Sequence, residues 1–405
     1  MEYLRFDASG CGFPKPRVPV LPTLGRHSLG RQTASQFSQL GVSANAQFFT
    51  RGRYALTEAY RLCGLGPAGG LMAPSYHCRT MLDPALSLGA EIVLYSLKPD
   101  LSPDLQGLKA SLSSCKTPVK ALLVTHYFGF AQALEPLAAF CDEHHITLIE
   151  DCSHALFVRA NENSRAEPGA MGRTGRFGIA SPYKFFPAED GGLLWGNDGA
   201  ALQSLNQRSQ SLAGNLKGVK RALQAAINPK PTLELDAVNP EVLALTSKPG
   251  APGAHLHEQN LRPSHFYLAK EESLQGLACS RWVMRHTDID RLANQRRQNY
   301  QQWLAAVAAL PHCRALFPDL PNDCVPYMFP LRIDHPETHF YALKYMGMPV
   351  WRWDDMAVSP CGVATGYREQ VLHLPCHQEL TANQMAWMTR VVGQVMQQPP
   401  MQGRL

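Results

Sequence analysis

The sequence lacks several of the features that directly indicate the class or the cellular location of a protein. No uninterrupted apolar stretch reaches membrane-spanning length, and Met1–Asp7 lacks the basic-then-apolar layout of a signal peptide. Its 11 cysteines include no C-x-x-C pair, and several stand in apolar surroundings. Such cysteines are typical of small buried side chains in a reducing compartment. We therefore expect a cytoplasmic protein with no membrane partner.

The sequence also shows neither a large excess of one charge nor a complete cluster of metal ligands. The formal net charge of +5 is small for 405 residues and no basic run stands out, so nucleic acid is not an expected partner. Cys141, His144 and His145 close a predicted helix, but no second cluster completes a metal site. We therefore expect no metal ion.

What the sequence does contain is a regular alternation of strands and helices from Phe48 to Asp151. Apolar runs of strand length are separated by stretches with helical spacing. This alternation is typical of an α/β fold, in which a mostly parallel sheet is flanked by helices on both faces. In such sheets ligands bind at the carboxyl ends of the strands.

The domain organisation follows from changes in composition. Residues 1–40 are rich in proline and glycine and predict an extended N-terminal arm. We predict a large domain over 41–284 and a smaller α+β domain over 285–405. Between Asn228 and Pro263, prolines and polar residues predict a long loop.

One lysine is poorly placed to be an ordinary solvated charge. Lys184 is flanked by aromatic residues and proline and precedes an acid-Gly-Gly turn. Upstream, a predicted buried strand ends at Asp151. Pyridoxal phosphate (PLP) needs this pair, because its aldehyde forms a Schiff base with a lysine and a carboxylate keeps its ring nitrogen protonated. We therefore predict a PLP site that contains Lys184 and Asp151.

Several segments carry a resemblance to a known family. They are Gly52–Leu56, Pro74–Cys78 followed by Gly89-Ala90, Ile149–Ala155, Lys184 with Gly191-Gly192, and Val371–His377. In this order and at these distances they resemble the DegT/DnrJ/StrS family of PLP-dependent sugar aminotransferases. The resemblance covers about Phe48 to Val395 except for residues 200–280. It implies the aspartate aminotransferase-type fold, which is fold type I, and a homodimer whose sites form between two subunits.

The resemblance also implies roles for individual residues. Lys184 is the Schiff-base lysine and the base that transfers protons, and Asp151 is the partner of the ring nitrogen. Gly52, Arg53 and Tyr54 open a helix whose N-terminal N–H groups bind the cofactor phosphate. Glu150, on the other face of the strand from Asp151, is interpreted as structural.

Four positions depart from the family's pattern. Arg53 stands where the family usually has serine or threonine. His154 replaces a glutamine near the ring hydroxyl of the cofactor, and the alternative is a structural histidine. Ser181 lies three residues before the lysine and not five, where this chain has Ile179, so it is either a phosphate ligand or a turn serine. Cys78 occupies the position of an aromatic ring that stacks on the cofactor.

Substrate contacts are predicted in the C-terminal part of the chain. Trp351-Arg352-Trp353 places a guanidinium between aromatic rings, which suits a sugar or a nucleotide diphosphate. The alternative is that the tryptophans pack a domain seam while Arg352 is solvated. Tyr183, beside the lysine, is a further candidate for substrate contact.

The resemblance implies an aminotransferase. Its amino donor is glutamate in most of the family, and its acceptor is a keto-sugar carried on a nucleotide, for polysaccharide or secondary-metabolite biosynthesis. Two alternatives stay open. One is another PLP-dependent reaction, such as that of a lyase, a dehydratase or a condensing enzyme. The other is a non-catalytic descendant that uses the scaffold for binding.

Overall fold

The computed structural model describes most of the chain. The described residues are 1–25, 27–30, 46–155, 171–197, 202, 205–227, 233, 254–259 and 262–400. These residues form three β-sheets. Within them, no helix is both long enough and apolar enough to cross a membrane.

A seven-stranded sheet forms the centre of the N-terminal half. Its strands are β2 (Gln47–Phe49), β3 (Gly70–Pro74), β4 (Ile92–Tyr95), β5 (Val119–Thr125), β6 (Thr147–Asp151), β7 (Phe177–Ala180) and β8 (Gly192–Gly196). They lie in the order β2-β8-β7-β6-β5-β3-β4. The strands from β4 to β7 pair in parallel, whereas β8 and β2 join through antiparallel pairs. The predicted, mostly parallel sheet is confirmed.

Helices flank this sheet. They are α1 (Gly52–Leu62), α2 (Arg79–Ser87), α3 (Leu105–Ser113) and α4 (Glu135–Glu143), while α5 (Leu212–Ile227) packs against the helix Ala278–His286. Successive side chains of a strand point to opposite faces, and on β5 Leu122 and Val124 enter one hydrophobic core while Ala121 and Leu123 enter another. The sheet is therefore buried on both faces, as the alternation of strands and helices predicts.

The C-terminal part has its own sheet and helices. The sheet is antiparallel, in the order β10 (Cys313–Ala315), β11 (Met328–Ile333) and β13 (Val371–Pro375). The helices are α6 (Ala278–His286), α7 (Ile289–Val307), α8 (Pro336–Tyr345), α9 (Gly362–Gln370) and α10 (Ala382–Met396). Apolar residues of α7, Trp303 among them, are buried in the core. The division into domains at residue 284 stays a prediction.

A third sheet connects distant parts of the chain. Strand β1 (Glu2–Asp7) pairs antiparallel with β9 (Ala254–Gln259) on one side and with β12 (Met356–Ala357) on the other. The start of the predicted arm is therefore extended but paired. The prediction of a long loop between Asn228 and Pro263 is wrong for Ala254–Gln259, which forms β9. Most other residues of the predicted loop lie outside the described ranges.

Candidate active site

The carboxyl ends of β6 and β7 bring the predicted residues to one cavity. Strand β6 ends at Asp151, and β7 is followed by Ser181 and a 3-10 turn over Pro182–Lys184. The same cavity is lined by Gly52, Cys78, Asp151, His154, Ser181 and Lys184. Most of the predicted cofactor residues thus converge, although they are spread over more than 130 positions of the sequence.

The N-terminus of α1 forms one end of the cavity. Tyr54 is the first residue whose N–H bonds to the carbonyl oxygen of Arg51, so the N–H groups of Gly52 and Arg53 precede the hydrogen bonds of the helix. A Cβ atom on Gly52 would lie 2.3 Å from Oγ of Ser181. Gly52 is therefore required for the serine to approach the helix end. A helix N-terminus with a hydroxyl close by suits a phosphate.

Ser181 belongs to this end of the cavity although it does not stand where the family places its serine. Its Oγ lies 3.0 Å from Oγ of Ser153, and both side chains line the cavity. The glycine turn after the lysine has a steric cause, because a Cβ atom on Gly192 would lie 2.3 Å from the carbonyl oxygen of Arg51. Ser181 therefore lines the cavity next to the helix end, and its role as a phosphate ligand stays a prediction.

Asp151 and its neighbour Glu150 lie on opposite faces of β6. Asp151 lines the cavity, and its Oδ1 accepts the N–H of Ser153 at 2.8 Å. This bond fixes the orientation of the carboxylate while Oδ2 is left for another donor. In a parallel sheet covered on both faces, the end of β6 is one of the few positions where a strand residue reaches a ligand.

Glu150 is structural, as the strand alternation predicts. Its buried carboxylate accepts the N–H groups of Gly172, Thr174 and Gly175 at 2.6, 2.8 and 2.6 Å. It also accepts Nε2 of His126 at 2.9 Å. Burial alone raises the pKa of Glu150, but the hydrogen bond and charge of His126 and these backbone donors outweigh it and lower the pKa.

Lys184 is held in place through its backbone. The next two residues, Phe185 and Phe186, are fully buried, and Nζ of Lys184 lies 5.3 Å from the centre of the Tyr327 ring. The carbonyl oxygens of Lys184 and Phe185 accept hydrogen bonds from the guanidinium of Arg296 at 3.0 and 3.3 Å. The amine therefore extends from a rigid turn into the cavity.

Arg296 joins this turn to the C-terminal part. It is fully buried on α7, and burial lowers the pKa of its guanidinium to about 10. Besides the two carbonyls of the lysine turn, its hydrogen-bond acceptors are the carbonyl oxygens of Pro326 and Tyr327 at 3.1 and 2.9 Å and Oε1 of Gln378 at 2.9 Å. Sequence spacing alone gave no signal for this arginine.

His154 lies in an aromatic environment next to the lysine. Its ring stacks on Tyr327 with 4.3 Å between the ring centres, and its Nδ1 is buried without a hydrogen-bond partner among the described residues. Burial, followed by the charges of Lys184 and His373, lowers the pKa of His154 far below its usual range. A neutral imidazole with one unsatisfied nitrogen suits a polar group of a bound cofactor.

The structure corrects several predicted contacts. Tyr54 does not line the cavity: it is buried, and its hydroxyl accepts the N–H of Leu268 at 3.2 Å. Trp351 is 43% exposed. The guanidinium of Arg352 lies 3.6 Å from the centre of the Phe340 ring and is paired with Asp354. These three residues are therefore placed by packing and by exposure to solvent, away from the cavity.

The other predicted residues do line the cavity. Arg53 and Tyr183 are both part of its wall, and the guanidinium of Arg51, which the sequence did not single out, lies 4.9 Å from the centre of the Tyr183 ring. In place of Trp351, the structure brings Trp353 to the cavity. One residue, Arg352, separates these tryptophans, and the sequence alone did not indicate which of the two lines the cavity.

Comparison with known proteins supports the predicted resemblance. Residues 31–222 match the sequence model of the DegT/DnrJ/EryC1/StrS aminotransferase family. An L-glutamine:scyllo-inosose aminotransferase of Streptomyces griseus is 27% identical over 189 residues, which are 46% of this chain and 42% of that protein. A GDP-perosamine synthase of Vibrio cholerae is 24% identical over 169 residues, which are 40% of this chain and 43% of that protein. The chain thus spans less than half the length of these relatives.

Solved structures extend the likeness in fold to nearly the whole chain. The aminotransferase TlmJ from Streptoalloteichus hindustanus has a TM-score of 0.63 at 18% identity, covering 93% of this chain and 98% of that one. PseC from Helicobacter pylori, an aminotransferase involved in pseudoaminic acid biosynthesis, has a TM-score of 0.61 at 15% identity, covering 94% and 99%. The predicted fold type I of PLP-dependent enzymes is therefore confirmed.

Proposed function

From the match with the DegT/DnrJ/EryC1/StrS aminotransferase family, which confirms the predicted resemblance, we propose that this protein is a PLP-dependent aminotransferase. The observation that carries the proposal is the convergence of Lys184, Asp151 and the N-terminus of α1 on one cavity. These are the three groups that PLP requires, for its aldehyde, its ring nitrogen and its phosphate.

The donor set fits the cofactor. Gly52 leaves room for Ser181 at the free end of a helix, where a Cβ atom would clash at 2.3 Å. Asp151 has one carboxylate oxygen fixed by Ser153 and the other available to a protonated ring nitrogen. His154 has an unsatisfied buried nitrogen near the lysine. When bound, PLP supplies an electron sink that stabilises negative charge on the substrate carbon.

Each residue then has a defined task. Nζ of Lys184 binds the cofactor aldehyde and, once released, moves a proton to and from the substrate carbon. The carboxylate of Asp151 holds the proton on the ring nitrogen. The N–H groups of Gly52 and Arg53, with Ser181, bind the phosphate. Phe185, fully buried beside the lysine, excludes water from one side of the turn.

The acceptor that we propose is the ketone of a polyhydroxylated ring. The relatives' names include acceptors of two kinds, an inosose and a nucleotide-linked sugar. We propose a nucleotide-linked keto-sugar as acceptor and glutamate as donor, for a polysaccharide or a secondary metabolite, in a cytoplasmic homodimer. Because Arg352 packs on Phe340 and is not among the residues that line the cavity, we propose that other groups bind the diphosphate. An inosose with L-glutamine, as in the Streptomyces griseus relative's name, is the second candidate.

Borohydride reduction tests the cofactor assignment. Purified protein with PLP should be yellow, lose that colour on reduction, and carry the cofactor on the peptide that contains Lys184. Lys184→Ala should abolish both the attachment and amino transfer while the protein stays folded, since a turn substitution removes little core. Lys217→Ala, an exposed change on α5, is the matched control and should behave like the wild type. Attachment at another lysine would refute the site assignment.

A donor and acceptor panel tests the substrate assignment. Glutamate and glutamine are each incubated with the yellow enzyme, and loss of the visible absorption band reports transfer of the amino group to the cofactor. The aminated cofactor is then offered nucleotide-linked keto-sugars and free inososes, and return of the band identifies the acceptor. Return with a free inosose but with no nucleotide-linked sugar would make the second candidate the correct one.

A further inference from the structure

The cavity lacks an aromatic side chain at the position where the sequence predicts one. Cys78 lines the cavity, and its Sγ lies 3.2 Å from Oγ1 of Thr80. A cysteine side chain is too small to cover the face of a pyridine ring. If PLP binds as proposed, one face of its ring needs cover from another part of the chain.

Trp353 reaches the same cavity from the C-terminal part. It lines the cavity together with Cys78, Asp151 and Lys184. Its ring centre lies 5.5 Å from that of His154, with 33° between the ring planes, and 4.7 Å from that of Tyr76. The indole is therefore supported by other rings where it lines the cavity.

Two ion pairs hold the backbone on either side of this tryptophan. Arg79, the residue after Cys78, donates to Asp355 at 3.0 Å, which ties the Cys78 segment to the segment of Trp353. On the other side, Arg352 pairs with Asp354 and its guanidinium packs 3.6 Å from the centre of the Phe340 ring. The position of the indole near Cys78 is thus fixed by flanking contacts and does not depend on a bound ligand.

We propose that Trp353 provides the aromatic wall for the ring of the cofactor that the cysteine at position 78 does not provide. The inference rests on the proposed PLP site. An indole has a large, electron-rich face, and the protonated pyridine ring beside Asp151 is electron-poor, so an offset-stacked or tilted contact between them is favourable. The aromatic contact has moved from the strand end after β3 to the segment before β12.

Affinity of the apoprotein for PLP tests this role without any turnover. Trp353→Ala should weaken PLP binding about 3- to 10-fold, the range expected for loss of one aromatic contact, and should change the circular dichroism of the bound cofactor's visible band. Trp353→Phe should keep most of the affinity. Trp351→Ala removes the exposed tryptophan two residues away and is the matched control, for which no change is expected.

A rescue variant separates stacking from a loss of local structure. In the Trp353→Ala background, Cys78→Phe restores a ring at the position that the sequence pattern predicts, and PLP affinity should recover by at least half of the lost factor. The inference is overturned if Trp353→Ala binds PLP like the wild type, including the case in which only the KM of the keto substrate rises. It is also overturned if Cys78→Phe gives no recovery in the folded double variant.

These outcomes are distinct from failure of the proposed function. If the wild-type protein does not bind PLP at Lys184, the cofactor assignment itself is wrong. If the wild type binds PLP at Lys184 and the Trp353 variants do not differ from it, the cofactor assignment stands and only the role of Trp353 is refuted.

Discussion

The two sides of the active site differ in how they are built. One side is formed by the central sheet and includes Gly52, Asp151 and Lys184. Gly52 lies at the start of a helix, Asp151 at the end of β6, and Lys184 in the turn that follows β7. The side formed by the C-terminal part, with Arg296 and Trp353, is assembled by docking of a helix and a loop onto the first side. The first side contains the groups of the proposed chemistry, and the second orients and covers them.

This difference explains where sequence reasoning succeeded. A residue at the end of a parallel strand has its position fixed by the local pattern, because the sheet places all such ends at one edge. A residue on a docked element has no such constraint. Its orientation depends on contacts such as the ion pair of Arg79 with Asp355, between residues that are 276 positions apart.

The central-sheet side is tested most directly by replacing its two adjacent acids, Asp151 and Glu150, one at a time with the corresponding amide. Asp151→Asn should lower turnover by two orders of magnitude or more, with removal of an ionic partner in a buried setting costing about 3–5 kcal/mol. Its folding stability should change little, because Ser153 can still donate to the remaining side-chain oxygen. Single-turnover kinetics and urea unfolding measure the two effects separately.

Glu150→Gln should give the opposite result. The neutral amide weakens bonds to three backbone donors and His126, so unfolding free energy should fall by about 2–3 kcal/mol. Because the folded pKa of Glu150 is lowered, its stabilisation is complete above the ordinary value near 4.5 and is lost as the pH falls through the folded pKa. Equal loss of turnover in both variants would contradict the separation of roles on β6.

On the docked side, Arg296→Met should have the largest effect on stability. It leaves the carbonyl oxygens of Lys184 and Tyr327 without their donor in a buried environment, which should cost at least about 3 kcal/mol. Arg296→Lys retains a charge but cannot reach four carbonyl groups at once, so its stability should fall between those of the wild type and Arg296→Met. Thermal unfolding of the three proteins gives the order.

The sequence predicted the architecture and the chemical groups well, for physical reasons that particular residues illustrate. The alternation of strands and helices from Phe48 to Asp151 predicts a sheet buried on both faces, and Asp151 follows from the end of β6. The different placement of Trp353 and Trp351 was not predictable, because regular strand alternation would put residues two positions apart on the same face. Arg296 was missed because its acceptors are backbone carbonyls, which carry no side-chain signature.

Two buried histidines allow the two sides of the active site to be compared through the pH dependence of folding stability. Burial lowers the pKa of His77 to about 4, and burial together with the charge of Lys184 lowers that of His373 to about 3. Between these values and 6.5, the unfolded state binds the protons, so stability should decrease on acidification by about 1.4 kcal/mol per pH unit for each histidine. His373→Gln should flatten the acid limb by that amount in urea titrations. Parallel curves of unfolding free energy against pH for the wild type and His373→Gln, from pH 7.5 to 5, would refute this prediction.

Two helix caps outside the lining of the cavity should give the smallest effects and provide the baseline for the comparison. Thr381 and Gln384 form a capping box at the start of α10, with bonds of 3.2 and 2.9 Å, and Asp104 caps α3 through the N–H of Gln106. Thr381→Ala and Asp104→Ala should each cost about 1 kcal/mol. Neither residue lines the cavity, so PLP affinity should stay unchanged in Asp104→Ala.

Thr381→Ala is the more informative of the two cap variants. Gln378, three residues earlier, donates to the carbonyl oxygen of Phe185 at 2.8 Å, so the start of α10 is next to a contact that holds the lysine turn. If that contact is rigid, Thr381→Ala and Asp104→Ala should bind PLP with the same affinity, since both variants lose a similar amount of stability. A lower affinity in Thr381→Ala alone would show that order in the docked side is transmitted to Lys184, and the two sides would then be coupled through Gln378.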